Sequence, residues 1–189
     1  MELIDMILRK CSRAGAEMAE VFHLSQKKLS ISVRDGKLVT VQKSTPGGLA
    51  IRFFAEGRVS FAHTTELSDP AIDGIIDKLT NLAKKTEEDK FAGLPQPRAF
   101  QAGLDIFDDS RINQPMEPKI EYLMELEKKA MNYDILIEKS GGVWYEEISS
   151  TKTFANTNGL NAGYDSTIYK TSISVVASKK GEMYPGEGT

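Results

Sequence analysis

Leu3, Ile4, Ile7, Leu8 and Cys11 recur at the i, i+3/i+4, i+7 spacing of one helical face, which predicts an amphipathic helix over residues 2–14. Gly15 is placed to stop it. The pattern then changes period. Residues 19–25 read as a strand, and Leu29, Ile31 and Val33 alternate with Ser30, Ser32 and Arg34, the signature of a half-buried strand. Asp35-Gly36 follows, a two-residue hairpin signal, because a type I′ turn needs positive φ at both positions. Residues 38–43 return as its partner, and Pro46-Gly47-Gly48 breaks that strand. Residues 49–55 and 58–63 form a second hairpin about Glu56-Gly57, with Leu49, Ile51 and Phe53 on one face and Ala50, Arg52 and Phe54 on the other. Asp69 is placed as an N-cap with Pro70 at the first helical position, and Ile72, Ile75, Ile76, Leu79 and Leu82 make a helical stripe that needs a sheet to lie on.

Between residues 87 and 117 the periodicity lapses, and Pro95, Pro97 and Pro115 appear with Asp105, Asp108 and Asp109. This long connection places a domain boundary near residue 110. A second unit opens with a helix at Pro118, with Ile120, Leu123, Met124, Ala130 and Met131 on one face. Strands follow at 135–139, 143–155 and 160–178, the last two turning at Asn158-Gly159. The expected fold class is α+β: two units, each a helix plus an antiparallel glycine-turned sheet, the first closed by a second amphipathic helix. The expected domains are 1–110 and 111–189.

Composition narrows the function classes. The net charge of −3 is spread over interspersed acids and bases, without the clustered Lys/Arg excess of a nucleic-acid surface. Cys11 is the sole cysteine, so no intramolecular disulfide forms, and a reducing, cytoplasmic location is expected. No stretch approaches the roughly 18 apolar residues of a membrane span, and Asp5, Arg9 and Lys10 interrupt any signal-peptide pattern.

A catalytic constellation is not apparent. There is no His-Glu-x-x-His, no Gly-x-Ser-x-Gly elbow and no phosphate loop. His23 and His63 fall on separate predicted strands; a metal site joining them through Glu20 or Glu66 is the weaker reading, and two strand histidines the stronger. Cys11 lies on an apolar helix face and reads as inert core. Glu146-Glu147 and Asp108-Asp109 lack the geometry of paired catalytic carboxylates, and Trp144 and Tyr145 read as packing residues. One positive feature is a long strand at 167–178, whose edge would offer unpaired backbone groups to an extended peptide unless the rest of a larger protein covers it.

The order of these parts resembles one family over nearly the whole chain. Gly15-Ala16-Glu17 leads into the first strand; Gly48-x-x-x-Arg52 precedes a hairpin at Glu56-Gly57-Arg58; a capped helix exits at Leu94-Pro95; and Asn156-Thr-Asn-Gly159 turns the second half. In this order and spacing the chain resembles the TldD/PmbA family, metallopeptidase subunits long labelled modulators of DNA gyrase. The resemblance implies a dimer, homomeric or with a related subunit, that cleaves unfolded peptides in a closed cavity. It implies zinc only where a His-Glu-x-x-x-His motif is present in the later half of the full-length protein, with no cofactor held by this chain. The PmbA-like subunit type, which lacks that motif, is favoured. Gly48, Arg52, Gly57, Asn156 and Gly159 are then structural rather than catalytic. The chain is expected to be the N-terminal part of such a subunit, contributing to dimerisation and to the chamber wall; the alternative is a non-enzymatic peptide- or protein-binding module using a sheet edge.

Overall fold

The computed structural model describes residues 2–95 and 103–189; Pro97, expected in the long connection, lies outside them. The fold is α+β. Its elements are α1 (Glu2–Arg13), β1 (Met18–Arg34), β2 (Lys37–Ser44), β3 (Gly47–Ala55), β4 (Arg58–Thr64), α2 (Asp69–Ala83), α3 (Met116–Met131), β5 (Ile137–Asn156), β6 (Asn161–Lys179) and β7 (Glu182–Gly188). Hydrogen-bonded neighbours run β4-β3-β1-β5-β6-β7, with β2 also on β1.

Two compact units form, each drawn from three stretches of chain. One comprises Met1–Ser25, Pro46–Asp105 and Thr151–Asp165; the other comprises Gln26–Thr45, Ile106–Ser150 and Ser166–Thr189. The predicted strands at 19–25 and 29–34 are one strand, β1, whose partner changes midway. Met18–Ser25 pair with β3 and Lys28–Arg34 with β2.

In the first unit, α1 and α2 supply Ile4, Ile7, Cys11, Ile72, Ile75, Ile76 and Leu79 to a core shared with Val21, Leu49, Ile51 and Phe53 of the sheet. Lys10 Nζ holds the two helices together, 2.7 Å from Asp73 and 3.3 Å from Asp69. The Ala16 amide reaches back to the Cys11 carbonyl at 3.0 Å with Gly15 at φ +96°, a Schellman stop for α1. Two details of α2 differ from the sequence reading. Its N-cap is Ser68, still extended at φ −67°, ψ 148°, so Asp69 already belongs to the first turn. Its buried stripe ends on Ala83, while Leu82 is 45% exposed, because the i+4 step from Leu79 lands on 83. Gly47 and Gly48 belong to β3 rather than to the break before it.

In the second unit, α3 packs Leu123 onto Leu29, Ile31, Val33, Val143 and Tyr145. The helix begins at Met116, two residues before Pro118, and Lys119 and Glu127 lie buried on the same face as Leu123. The strands expected at 135–139 and 143–155 are continuous through Gly141-Gly142 as β5. Sequence reasoning missed β7, which turns back from β6 through Lys180 (φ 57°) and Gly181 (φ 84°) and pairs Lys179 with Glu182 through to Ile173 with Gly188. The edge of the stretch 167–178 is covered in part: β7 pairs along 173–179, and the Thr167 amide donates to the Ile106 carbonyl at 3.0 Å.

The Asp35-Gly36 turn adopts φ 52° and 66°, as a type I′ hairpin requires. A Cβ added to Gly36 meets nothing within 4 Å, so a substitution there acts only through the backbone. Gly36→Val is expected to cost well over ~1 kcal/mol, since a β-branched residue resists positive φ. Urea unfolding checks this, and an unshifted midpoint would mean the turn readily changes type.

Candidate functional site

The helix α3 leaves part of its sheet face uncovered at its N-terminal end. There a groove of about 470 Å³ opens in the second unit, lined by Leu29, Ile112, Pro115 and Met116 among apolar residues and by Lys27, Lys28, Lys43, Lys119 and Glu147 among charged ones. Its construction follows from strand periodicity. Leu29 lies opposite Lys43 in the β1–β2 register, so the two share a face, and Lys27 is two residues before Leu29 on that same face. On β5, Val143, Tyr145 and Glu147 are buried at every second position.

At the base of the groove the Lys119 ammonium donates to Glu147 Oε2 at 2.7 Å, and the Tyr145 hydroxyl donates to the same oxygen at 2.8 Å. Side chains of both ions are less than a tenth exposed. Burial, together with the bond to Glu147, pushes the Tyr145 phenol well above its ordinary range, so it remains a donor. The next carboxylate, Glu146, sits on the other face of β5 and pairs with Lys28 at 2.5 Å. Two adjacent glutamates thus serve two faces and do not form a pair.

A second buried carboxylate in this unit is structural. Glu127 accepts the amides of Asp35 (3.0 Å) and Gly36 (2.8 Å) and the hydroxyl of Ser140. It fixes the β1–β2 turn against α3.

The first unit presents a different surface on the sheet face away from its helices. Glu20, Arg52 and Phe61 are in register across β1, β3 and β4, as are Phe22, Ala50 and His63. Arg52 pairs with Glu20 and lies 5.5 Å above the Phe54 ring. Phe22 and Phe61 are each more than a third exposed, and Phe61 lies 6.4 Å from the His63 ring.

The register separates the two histidines. His23 pairs with Leu49 and His63 with Ala50, and neighbouring residues on a strand point to opposite faces. Glu20 Oε1 accepts from Arg52 while its buried Oε2 has no hydrogen-bond partner among the described residues, and Glu66 accepts the Ser68 hydroxyl at 2.9 Å. These four residues do not converge, and among the described residues no group of three or more His, Cys, Asp and Glu is placed to hold a metal. Cys11 is fully buried, and burial pushes its thiol up to about 12, which disfavours the reactive thiolate.

The remaining residues singled out from the sequence sit at turns and close approaches. Gly48 lies where a Cβ would come within 2.5 Å of the Thr64 carbonyl oxygen. Gly57 closes the β3–β4 hairpin at φ 67°. Asn156 is buried, and its side-chain oxygen accepts the amides of Asn158 (3.0 Å) and Leu160 (3.1 Å), while Gly159 turns at φ 88°. Trp144, expected to pack, is 45% exposed. The Lys119–Glu147 pair was missed; the available signal was the inward alternation Val143, Tyr145 running on into a charged residue.

Comparison with known proteins adds what the geometry lacks. Residues 19–86 match the model of PmbA/TldA metallopeptidase domain 1, and residues 111–189 that of the PmbA/TldA metallopeptidase central domain. The chain is similar to metalloprotease PmbA of Escherichia coli O157:H7, 29% identical over 87% of this chain and 37% of that protein. It is also similar to a PmbA homologue of Haemophilus influenzae, 26% identical over 93% of this chain and 39% of that one. The chain thus spans less than two-fifths of the length of these relatives. Among solved structures, TldE from Thermococcus kodakarensis superposes on 98% of the chain with a TM-score of 0.85 at 14% identity, covering 42% of that protein. A candidate modulator of DNA gyrase from Bacteroides thetaiotaomicron gives a TM-score of 0.88 at 18% identity over 98% of this chain and 43% of that one. At these identities the structural likeness speaks to the fold.

Proposed function

Because the chain belongs to the PmbA/TldD metallopeptidase family, we propose that it forms the first and central domains of a PmbA-like peptide-processing subunit. In this reading it pairs with a second copy or with a related subunit in the cytoplasm and forms part of the wall of a chamber that receives unfolded peptides. The observation that carries the reading is the match to both family domains in their order, over 19–86 and then 111–189. The absence of a zinc-competent cluster among the described residues is compatible with it. Any zinc is then held elsewhere, by a later motif or by the partner subunit, and the part played by this chain is to bind and enclose. No helix among the described residues is long and apolar enough to cross a membrane.

The test is to mix the chain with a related subunit that bears His-Glu-x-x-x-His, measure particle mass by light scattering, and follow cleavage of fluorescently labelled unfolded casein. A joint particle whose cleavage rate depends on this chain supports the reading. A chain that stays monomeric with and without the subunit, and leaves the cleavage rate unchanged, removes it. Hydrolysis by the chain alone that persists after chelation of metal would equally count against it.

A further inference from the structure

We propose that the groove at the start of α3 docks an acidic peptide that inserts one apolar side chain. The proposal rests on the peptide-processing reading for its ligand class and goes beyond it by naming the kind of peptide and the residues that take it.

Three features of the groove set that chemistry. Its walls at Leu29, Ile112, Pro115 and Met116 are apolar, and its volume of about 470 Å³ holds a large apolar side chain with some adjoining backbone. Its base is electrically satisfied, because Lys119 is matched by Glu147 at 2.7 Å, so a charged group has no reason to go deep. Its mouth is positive. Lys27 and Lys43 are exposed and stand on neighbouring strands of one face, and neither makes an ion pair among the described residues, whereas Lys28 beside them is held by Glu146. The first turn of α3 adds to this field. Its N-cap Pro115 offers no side-chain hydrogen bond to the first turn, but Pro118 removes one amide from that turn and Glu117 offsets part of the field. Ser44, Thr45 and Ser149 supply polar groups along the groove for a peptide backbone. An apolar pocket behind two unmatched lysines is complementary to an apolar anchor flanked by carboxylates; a basic peptide would meet like charge at the entrance.

The experiment measures binding and not cleavage, by fluorescence anisotropy of labelled peptides on the full chain. The probes are a short peptide with one Phe flanked by Glu and Asp, its Gln/Asn counterpart, and the acidic peptide with Phe replaced by Ala. The acidic Phe peptide is expected to bind roughly tenfold tighter than either control, with affinity falling as salt rises. Lys27→Glu with Lys43→Glu is expected to erase that preference. Both lysines are exposed, so the double variant should keep the parent circular dichroism spectrum and unfolding midpoint, which makes the loss interpretable. Equal binding of acidic and amide peptides, no binding of any peptide, or a preference untouched by the double variant would overturn the site. A labelled single-stranded oligonucleotide that displaces the acidic peptide at lower concentration than the unlabelled peptide does would reassign it to nucleic acid. Because cleavage is not read, a failure of the casein assay removes the peptidase reading while the binding result stands, and a failure here leaves chain-dependent cleavage free to be observed.

Discussion

Lys119→Met is expected to destabilise the protein by about 3–5 kcal/mol, seen as a large drop in the urea midpoint without a change of slope. The lysine side chain is 7% exposed and that of its partner Glu147 is 6% exposed. Removing the ammonium leaves a carboxylate that water barely reaches, with the Tyr145 hydroxyl as its remaining donor. Desolvation of an unmatched charge dominates the cost; the lost attraction is the smaller part. The double variant Lys119→Met with Glu147→Leu is therefore expected to recover most of the loss, since an apolar pair of similar volume replaces a buried ion pair at little net cost. A single variant within about 1 kcal/mol of the parent would show that Glu147 is hydrated in solution, because exposed pairs contribute only that much.

Gly48→Val is expected to cost about 3 kcal/mol, with Gly48→Ala intermediate, through overpacking against main chain. A Cβ at this position comes within 2.5 Å of the Thr64 carbonyl oxygen and 3.3 Å of the Thr65 Cα. Those are main-chain atoms, so relief requires β3 and the end of β4 to separate, breaking the pairing of Leu49 with Thr64. The contrast with Gly36 is instructive. Gly36 has open space and a left-handed φ of 66°, so its replacement strains the residue itself; Gly48 has an ordinary φ, and its replacement strains its neighbours. Thermal unfolding of the two variants separates the mechanisms. A small effect at Gly48 would mean that this end of the hairpin is loosely paired.

What the chain's pattern disclosed follows from where each element gets its stability. The face of α1 through Ile4, Ile7 and Cys11 was legible because those residues are buried at helical spacing. The hairpins at Asp35-Gly36 and Glu56-Gly57 were legible because positive φ narrows residue choice. The strand β7 was not, because all its residues are exposed and leave no alternation to read, while Pro185 and three nearby glycines imitate a loop. Leu82 was assigned to the core on hydrophobicity, but the buried position at that turn belongs to Ala83. The candidate groove was hidden for a different reason. Lys119 and Glu147 are 28 positions apart and each reads as a surface charge; only tertiary packing puts them in contact out of water. The same holds for Glu127, whose carboxylate closes a turn 91 residues earlier in the chain.

The division of each unit among three stretches of chain bears on how the protein is made. The first unit takes Thr151–Asp165 from late in the sequence, and the second takes Gln26–Thr45 from early in it. During synthesis, the first unit therefore lacks part of its sheet until Asp165 has left the ribosome. Meanwhile the β1–β2 hairpin can form from local contacts, but its turn amides must wait for Glu127, which is translated some 90 residues later. A nascent chain halted near residue 110 would hold α1, α2 and the first two hairpins, yet would complete neither unit. Ribosome-bound intermediates of that length are the ones expected to need a chaperone.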